Sequence, residues 1–151
     1  MVGTLAQAEL ESLLQEQTFG RLGCCAEGEL YVVPISYVYD PQRKRLLGQT
    51  TYGKKIEMMR KNPSVCVEVD DVRSLTHWRS AIVWGRYEEL EGHVAAEAMG
   101  MIIDRYGPMF DEAREGSRRG RQVTPPRLNH AAAVEIVYAV RIDHMTGRRE
   151  E

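Results

Sequence analysis

Cysteine is scarce in this chain: three residues in 151, Cys24, Cys25 and Cys66, with no CxxC pair and no even framework. Sequence neighbours such as Cys24 and Cys25 rarely bridge, so a disulfide scaffold and a thiol-redox motif are both excluded. The three read as reduced, buried, small hydrophobes in apolar strand-like segments. Long hydrophobic runs are absent too. None approaches the roughly 20 residues that span a bilayer, and the N-terminus lacks the charged-then-apolar layout of a signal peptide. The expectation is a cytoplasmic protein with no membrane partner. Excess charge is also missing: 20 basic against 22 acidic residues leave a net −2, so no global field draws the chain to nucleic acid. An anionic ligand would have to be caught locally. His77, His93, His130 and His144 are widely spaced and form no metal-binding pattern, so no metal is expected.

What is present is ordinary globular material, 43% hydrophobic and 28% charged, at a length suited to one domain spanning residues 1–151. Thr4 and Gln7 have capping-box spacing, and Leu10, Leu13 and Leu14 recur at helical intervals, which predicts a helix near 4–16. Segments 20–26 and 30–39 read as a hairpin turning at Glu27-Gly28, and 45–50 returns after a turn at 40–44. Pro34 inside the second of these cannot donate to a ladder. The strand there is expected to be an edge, or to break at a bulge, leaving backbone groups free for a ligand.

Residues 54–61 form a helix ended by Asn62-Pro63. Segments 65–69 and 78–90 supply a fourth and a fifth strand, joined by 70–76. A helix over 93–106 stops at Gly107, an exposed excursion follows, and 132–142 is the last strand before a polar tail. Trp78 and Trp84 share a strand face. Six strand candidates with helices at the start, middle and late positions give a mainly β (α+β) class: an antiparallel barrel with peripheral helices. A Rossmann fold is disfavoured, since strands and helices do not alternate and no GxGxxG follows a strand.

The segment Gly48-Gln49-Thr50-Thr51-Tyr52-Gly53-Lys54-Lys55 carries the most chemistry. It joins a strand end, two hydroxyls, a glycine and two lysines to a helix start, whose unpaired amides and positive dipole end suit a phosphate. Thr50 and Thr51 would add neutral donors, and Lys54 or Lys55 a point charge. A solvated helix cap explains the same residues. The arginine cluster at 118–121 lacks interleaved aromatics and reads as part of a solvated flap, with no nucleic-acid partner expected.

Three blocks change the balance between those readings. Tyr31-Val32-Val33-Pro34-Ile35-Ser36-Tyr37, then Gly48 to Ile56, then Arg60-Lys61-Asn62-Pro63-Ser64-Val65-Cys66 resemble, in order and spacing, the pyridoxamine 5′-phosphate oxidase-like FMN-binding split barrels, on the short branch that includes nitroimidazole-resistance-like proteins. Arg79 to Arg86 is similar to that family's long strand ending in glycine. The resemblance implies a six-stranded antiparallel split β-barrel, a homodimer, and flavin mononucleotide (FMN) at the interface between its copies. Val33, Pro34, Ile35 and Ser36 match the strand beside the isoalloxazine ring. Gln49, Thr50 and Thr51 match the strand end beside flavin and phosphate, and Lys55, more than Lys54, matches the phosphate-binding lysine. Arg79 and Ser80 match a polar position near the ring or ribityl chain.

This sequence departs from the pattern in two places. There is no tryptophan beyond Trp84, where true pyridoxamine phosphate oxidases carry C-terminal arginine and tryptophan for the substrate phosphate, so oxidation of vitamin B6 is not expected. Gln49 stands where many relatives carry histidine. The function implied is an FMN-dependent oxidoreductase of unknown substrate. A non-catalytic flavin-binding module, or a relative binding deazaflavin F420 or haem, are the alternatives.

Overall fold

Alternation decides which way the sheet faces. On β2 (Phe19–Ala26), Leu22, Cys24 and Ala26 are buried while Arg21 is exposed; on β7 (His77–Leu90), Ala81, Val83 and Tyr87 are buried while Arg86 and Glu88 are exposed. A computed structural model describes residues 1–117 and 135–151. The other strands are β1 (Val2–Thr4), β3 (Glu29–Ser36), β4 (Val38–Asp40), β5 (Arg45–Thr51), β6 (Ser64–Ser74) and β8 (Glu135–Glu150). The helices are α1 (Gln7–Glu16), α2 (Lys54–Lys61) and α3 (Gly92–Ser117). Among the described residues no helix is long and apolar enough to cross a membrane.

One antiparallel sheet runs in the order β3-β2-β6-β7-β8-β5-β4, with β1 added to β8. The register sets Leu22 opposite Val67 and Val67 opposite Val83 in one inward row, and Leu46 opposite Val140 in another, all of them buried side chains. Burying each such side chain contributes about 1.5–3 kcal/mol, so these rows are a main driver of folding. Leu10, Leu13 and Leu14 of α1 and Ile56 and Met59 of α2 join the same core. On the outer side, α3 covers a second cluster with Val38, Leu47, Leu90, Ala98 and Ala139.

β3 and β4 stand at opposite ends of the strand order, yet Tyr37 alone separates them in the chain. The sheet therefore rolls until its two ends nearly meet, but those ends share no ladder: the sheet is not closed. Tyr37 explains the step. It is 1% exposed; its hydroxyl donates to the Leu14 carbonyl at 2.7 Å and its amide to the Thr18 carbonyl at 3.1 Å. Its own carbonyl accepts from the Tyr106 hydroxyl. Its polar groups are thus bonded to Leu14, Thr18 and α3, and the chain leaves one sheet edge and joins the other. The expected second strand breaks here, and β1 is additional, so the sheet has eight strands where six were expected.

Other boundaries shift for identifiable reasons. Thr4 lies in β1 opposite Arg148, and α1 instead begins after Ala6, whose amide donates to Glu9 at 2.7 Å. Pairing with β7 carries β6 through Asp70 and Asp71 to Ser74, and carries β8 through the expected polar tail to Glu150. α3 runs past Gly107 and Pro108, its Tyr106 and Arg105 anchored to carbonyls at Thr18, Gln15 and Glu16. Of the cysteines only Cys24 is buried; Cys25 and Cys66 are half-buried. Trp84 stacks on His144 with ring centroids 4.6 Å apart. The cluster at 118–121, His130 and the start of the expected last strand at 132–134 lie outside the described residues.

Candidate functional site

Pro34 sits on an edge strand, as its missing amide hydrogen requires: β3 pairs with β2 alone, Pro34 lying opposite Arg21. The hairpin feeding it is a two-residue turn in which Glu27 and Gly28 have φ of 52° and 80°, the left-handed pair that matches strand twist. The free side of β3 then carries a row of unpaired backbone groups.

β5 faces that row. Its partners on β4 are Val38 opposite Leu47 and Asp40 opposite Arg45. The β4–β5 ladder stops at Val38 opposite Leu47, and beyond Tyr37 the chain of β3 pairs with β2 instead, so β3 and the end of β5 share no ladder. The seam between the sheet's ends is thus flanked by Val33 to Ser36 on one side and Gln49 to Thr51 on the other. Gln49 is held by its neighbour: a Cβ at Gly48 would fall 2.5 Å from Tyr138 Cζ, so only glycine lets that buried ring pack flat against β5.

At the open end of the seam the chain turns into α2. The helix N-terminus at Gly53 has no side-chain cap, which leaves first-turn amides unsatisfied. Lys54 and Lys55 diverge there. Lys54 is exposed, pairs with Glu29 across the seam, and lies 5.1 Å from the centre of the Tyr31 ring. Lys55 is half-buried; its ammonium donates to the Thr50 hydroxyl at 2.7 Å and has no carboxylate partner among the described residues. Burial lowers its pKa from the ordinary lysine value. A desolvated cation beside a neutral hydroxyl and an uncapped helix start is a site for a bound anion.

Arg79 and Ser80 lie on β7, with β2 and β6 between them and β3. Arg79 lies in a polar cleft of about 300 Å³ with His77 and Trp78, and donates to Glu16 at 2.8 Å and Asp71 at 3.2 Å. Ser80 donates to Glu68 at 3.0 Å. Gln49 shares a cross-strand row with Val137 and Leu90. Ser80 lies ten residues from Leu90 along β7, roughly 30 Å at a strand's rise per residue.

Sequence reasoning missed two groups. Glu29 is one, visible only once the hairpin places it against α2. The other is a network on the outer sheet face, where Arg21 approaches Asp70 at 3.3 Å and Glu68 at 3.7 Å. Burial, with Asp70 beside it, raises the Glu68 pKa. The alternation of Glu68 and Asp70 was the available signal, since residues two apart share a strand face.

Comparison with known proteins places this architecture. A protein from Mesorhizobium loti whose crystal structure is described as that of a FAD-binding protein is 30% identical, with all of this chain and 99% of that one covered and a TM-score of 0.76. A 5-nitroimidazole antibiotic resistance protein candidate from Bacteroides thetaiotaomicron shares the fold at 22% identity, covering 100% and 92% of the two chains, with a TM-score of 0.69. An uncharacterised protein of Rhizobium meliloti (strain 1021) is 29% identical over 97% of this chain and 94% of its own length. The sequence pattern of the pyridoxamine 5′-phosphate oxidase family matches residues 6–149, and the chain belongs to that family.

Proposed function

We propose that the chain is a flavoprotein oxidoreductase that grips the FMN unit of its cofactor in the seam. The single observation that carries this reading is Lys55: a half-buried ammonium whose one hydrogen-bond partner among the described residues is the neutral Thr50 hydroxyl, set at an uncapped helix start. The Mesorhizobium loti relative, described as FAD-binding, supports a flavin as the ligand.

In this reading Lys55, Thr50 and the α2 amides hold the phosphate. Gln49 and the free backbone of Val33 to Ser36 orient the ring, and Thr51 borders the ribityl chain. Flavin, when bound, supplies hydride or single-electron transfer. Among the described residues, Val33 to Ser36 and Gln49 to Thr51 include no acid or base, which leaves proton handling to the substrate or to solvent. A passive flavin-binding module fits the same observation. Saturable reduction of the bound flavin by a nicotinamide cofactor in stopped flow identifies the enzyme, and its absence the binder.

Homodimerisation completes the site. Arg79 and Ser80 lie on β7, away from the Gln49 row, and a second copy is the proposed source of their contact with the flavin. The outer sheet face offers the surface, with Phe19, Leu30, Val32 and Val72 each more than 60% exposed, an apolar patch of the kind that marks an interface. Sedimentation at micromolar concentration should show a dimer; a monomer alone would contradict this part of the reading. Titration with FMN, followed by quenching of flavin fluorescence, tests the whole. Saturable binding is expected, and no binding would refute it.

A further inference from the structure

The outer face of the sheet is charged unevenly along its strands. On β6 the buried residues are Val65, Val67 and Val69, so Ser64, Cys66, Glu68 and Asp70 point outward. Their partners on β7 are Arg86 opposite Ser64, Trp84 opposite Cys66, Ile82 opposite Glu68 and Ser80 opposite Asp70. One end of this strip is acidic, where Glu68 and Asp70 share the single Arg21 guanidinium at 3.7 and 3.3 Å. The other end is basic. Arg86 stands opposite Arg141, and like charges so placed repel. Arg86 is exposed with no carboxylate partner among the described residues, and Arg141 approaches Glu88 at 3.9 Å. Between the two ends runs a cross-strand row of Val32, Gly23, Cys66 and Trp84, apolar or small throughout.

We infer that this strip docks on the same strip of a second copy, about a two-fold axis that crosses the strands along the Cys66–Trp84 row. The inference rests on the homodimer proposed above and fixes its arrangement. Two sheets packed face to face are related by an axis in the plane between them, running either along the strands or across them. An axis along the strands returns each row to its own level, so Glu68 meets the Ile82 row and Arg86 meets the Arg141 row again. An axis across the strands reverses the strip. Glu68 of each copy then comes over Ser64 of the other, beside Arg86, and the apolar row packs on itself. Only this second arrangement sets opposite charges together, and it does so twice, because a two-fold contact is self-complementary. Packed sheets stand about 10 Å apart, a gap that a glutamate and an arginine span between them.

The same reversal moves Arg79 and Ser80. Ser80 lies four residues before Trp84 and Glu88 four after, so Ser80 of the second copy comes level with Glu88. Trp78 of the second copy likewise comes level with Leu90, in the row that holds Val137 and Gln49. An axis chosen on charge alone therefore carries the Trp78 to Ser80 end of one copy to the Gln49 level of the other.

The test is sedimentation equilibrium of the full chain for the parent, Arg86→Glu and Glu68→Lys, each alone and the two variants mixed. The parent should dimerise at micromolar concentration. Each variant alone sets like charges against each other in two places and should dimerise at least about tenfold more weakly. An equimolar mixture should recover dimers near the parent's affinity, since both contacts in the mixed dimer are then attractive. If Glu68→Lys does not fold, Asp70→Lys takes its place. A mixture no tighter than its components, or variants that dimerise like the parent, would overturn the axis while leaving the homodimer and the flavin seam standing. A parent that stays monomeric would overturn the axis and the homodimer together.

Discussion

Along β7 and β8 the ladder runs from Trp78 opposite Glu150 to Leu90 opposite Val137, with one irregularity at Gly85, whereas β3 and β5 face each other across a seam with no ladder at all. The same chemistry, backbone amides and carbonyls on rolled strands, is used in two ways. On the paired side the donors and acceptors satisfy one another and the side chains close over a dry core. On the seam side they stay free, and the half-buried Lys55 nearby has no carboxylate partner among the described residues. What differs is a single hinge, Tyr37, whose bonds to Leu14, Thr18 and Tyr106 hold the two edges apart. In the proposed reading, stability and ligand capacity reside in different parts of one sheet, and substitutions should separate them.

The largest effect belongs to the paired side. A Cβ at Gly85 would lie 2.2 Å from the Arg141 carbonyl oxygen, backbone that cannot move aside cheaply. Gly85→Ala should lower unfolding free energy by about 3 kcal/mol, measured by urea denaturation, with flavin affinity of the folded fraction unchanged.

Lys55→Ala is the converse. It should weaken flavin binding by about 1.5–3 kcal/mol, the worth of a hydrogen bond to a charged group, with no loss of stability in the free protein. Lys55→Met should even stabilise the free protein slightly, since it removes a desolvated charge. If both variants unfold the chain, the separation of roles fails.

The pH dependence follows from the same lysine. The folded pKa of Lys55 lies below its unfolded value because burial disfavours the ammonium. Lys55 therefore costs stability at pH below its folded pKa, and that cost fades as pH rises from there toward the ordinary lysine value. A bound phosphate favours the charged form. Affinity should thus be full below the lowered pKa and fall as pH rises through it, earlier than an ordinary lysine would dictate. On the acid side it should weaken below about pH 6, where the phosphate loses its second charge. A binding curve that stays flat from neutral pH up through the ordinary lysine value would remove Lys55 from the site.

Tyr37→Phe deletes the hydroxyl that donates to Leu14 and should cost about 1 kcal/mol in thermal unfolding, with a further loss of flavin affinity if the seam shifts. Lys54→Ala should be the mildest. It removes an exposed pair with Glu29 worth under about 1 kcal/mol, and FMN affinity should fall far less than in Lys55→Ala.

Much of this was legible in the sequence, because it rests on local rules. The Glu27-Gly28 turn, the edge position of Pro34 and the helix ended by Asn62-Pro63 each follow from the φ preference or missing donor of one or two residues. The segment from Gly48 to Lys55 was legible as a pattern suited to phosphate, and the resemblance already favoured Lys55 over Lys54; the fold adds that Glu29 reaches Lys54 and that Thr50 reaches Lys55. Non-local effects were out of reach. The break at Tyr37 depends on carbonyls at residues 14 and 18 and on a hydroxyl at 106, and the strand character of the polar segment after Ile142 depends on β7 and β1 beside it. α3 passes Gly107 and Pro108 because tertiary anchoring outweighs local breakers.

The most direct test is amide hydrogen exchange with and without saturating FMN. Binding in the seam should slow exchange at residues 33–36 and 49–56, leaving the centre of β7 and β8 as it was. Bound FMN with unaltered exchange in both of those segments would contradict the assignment.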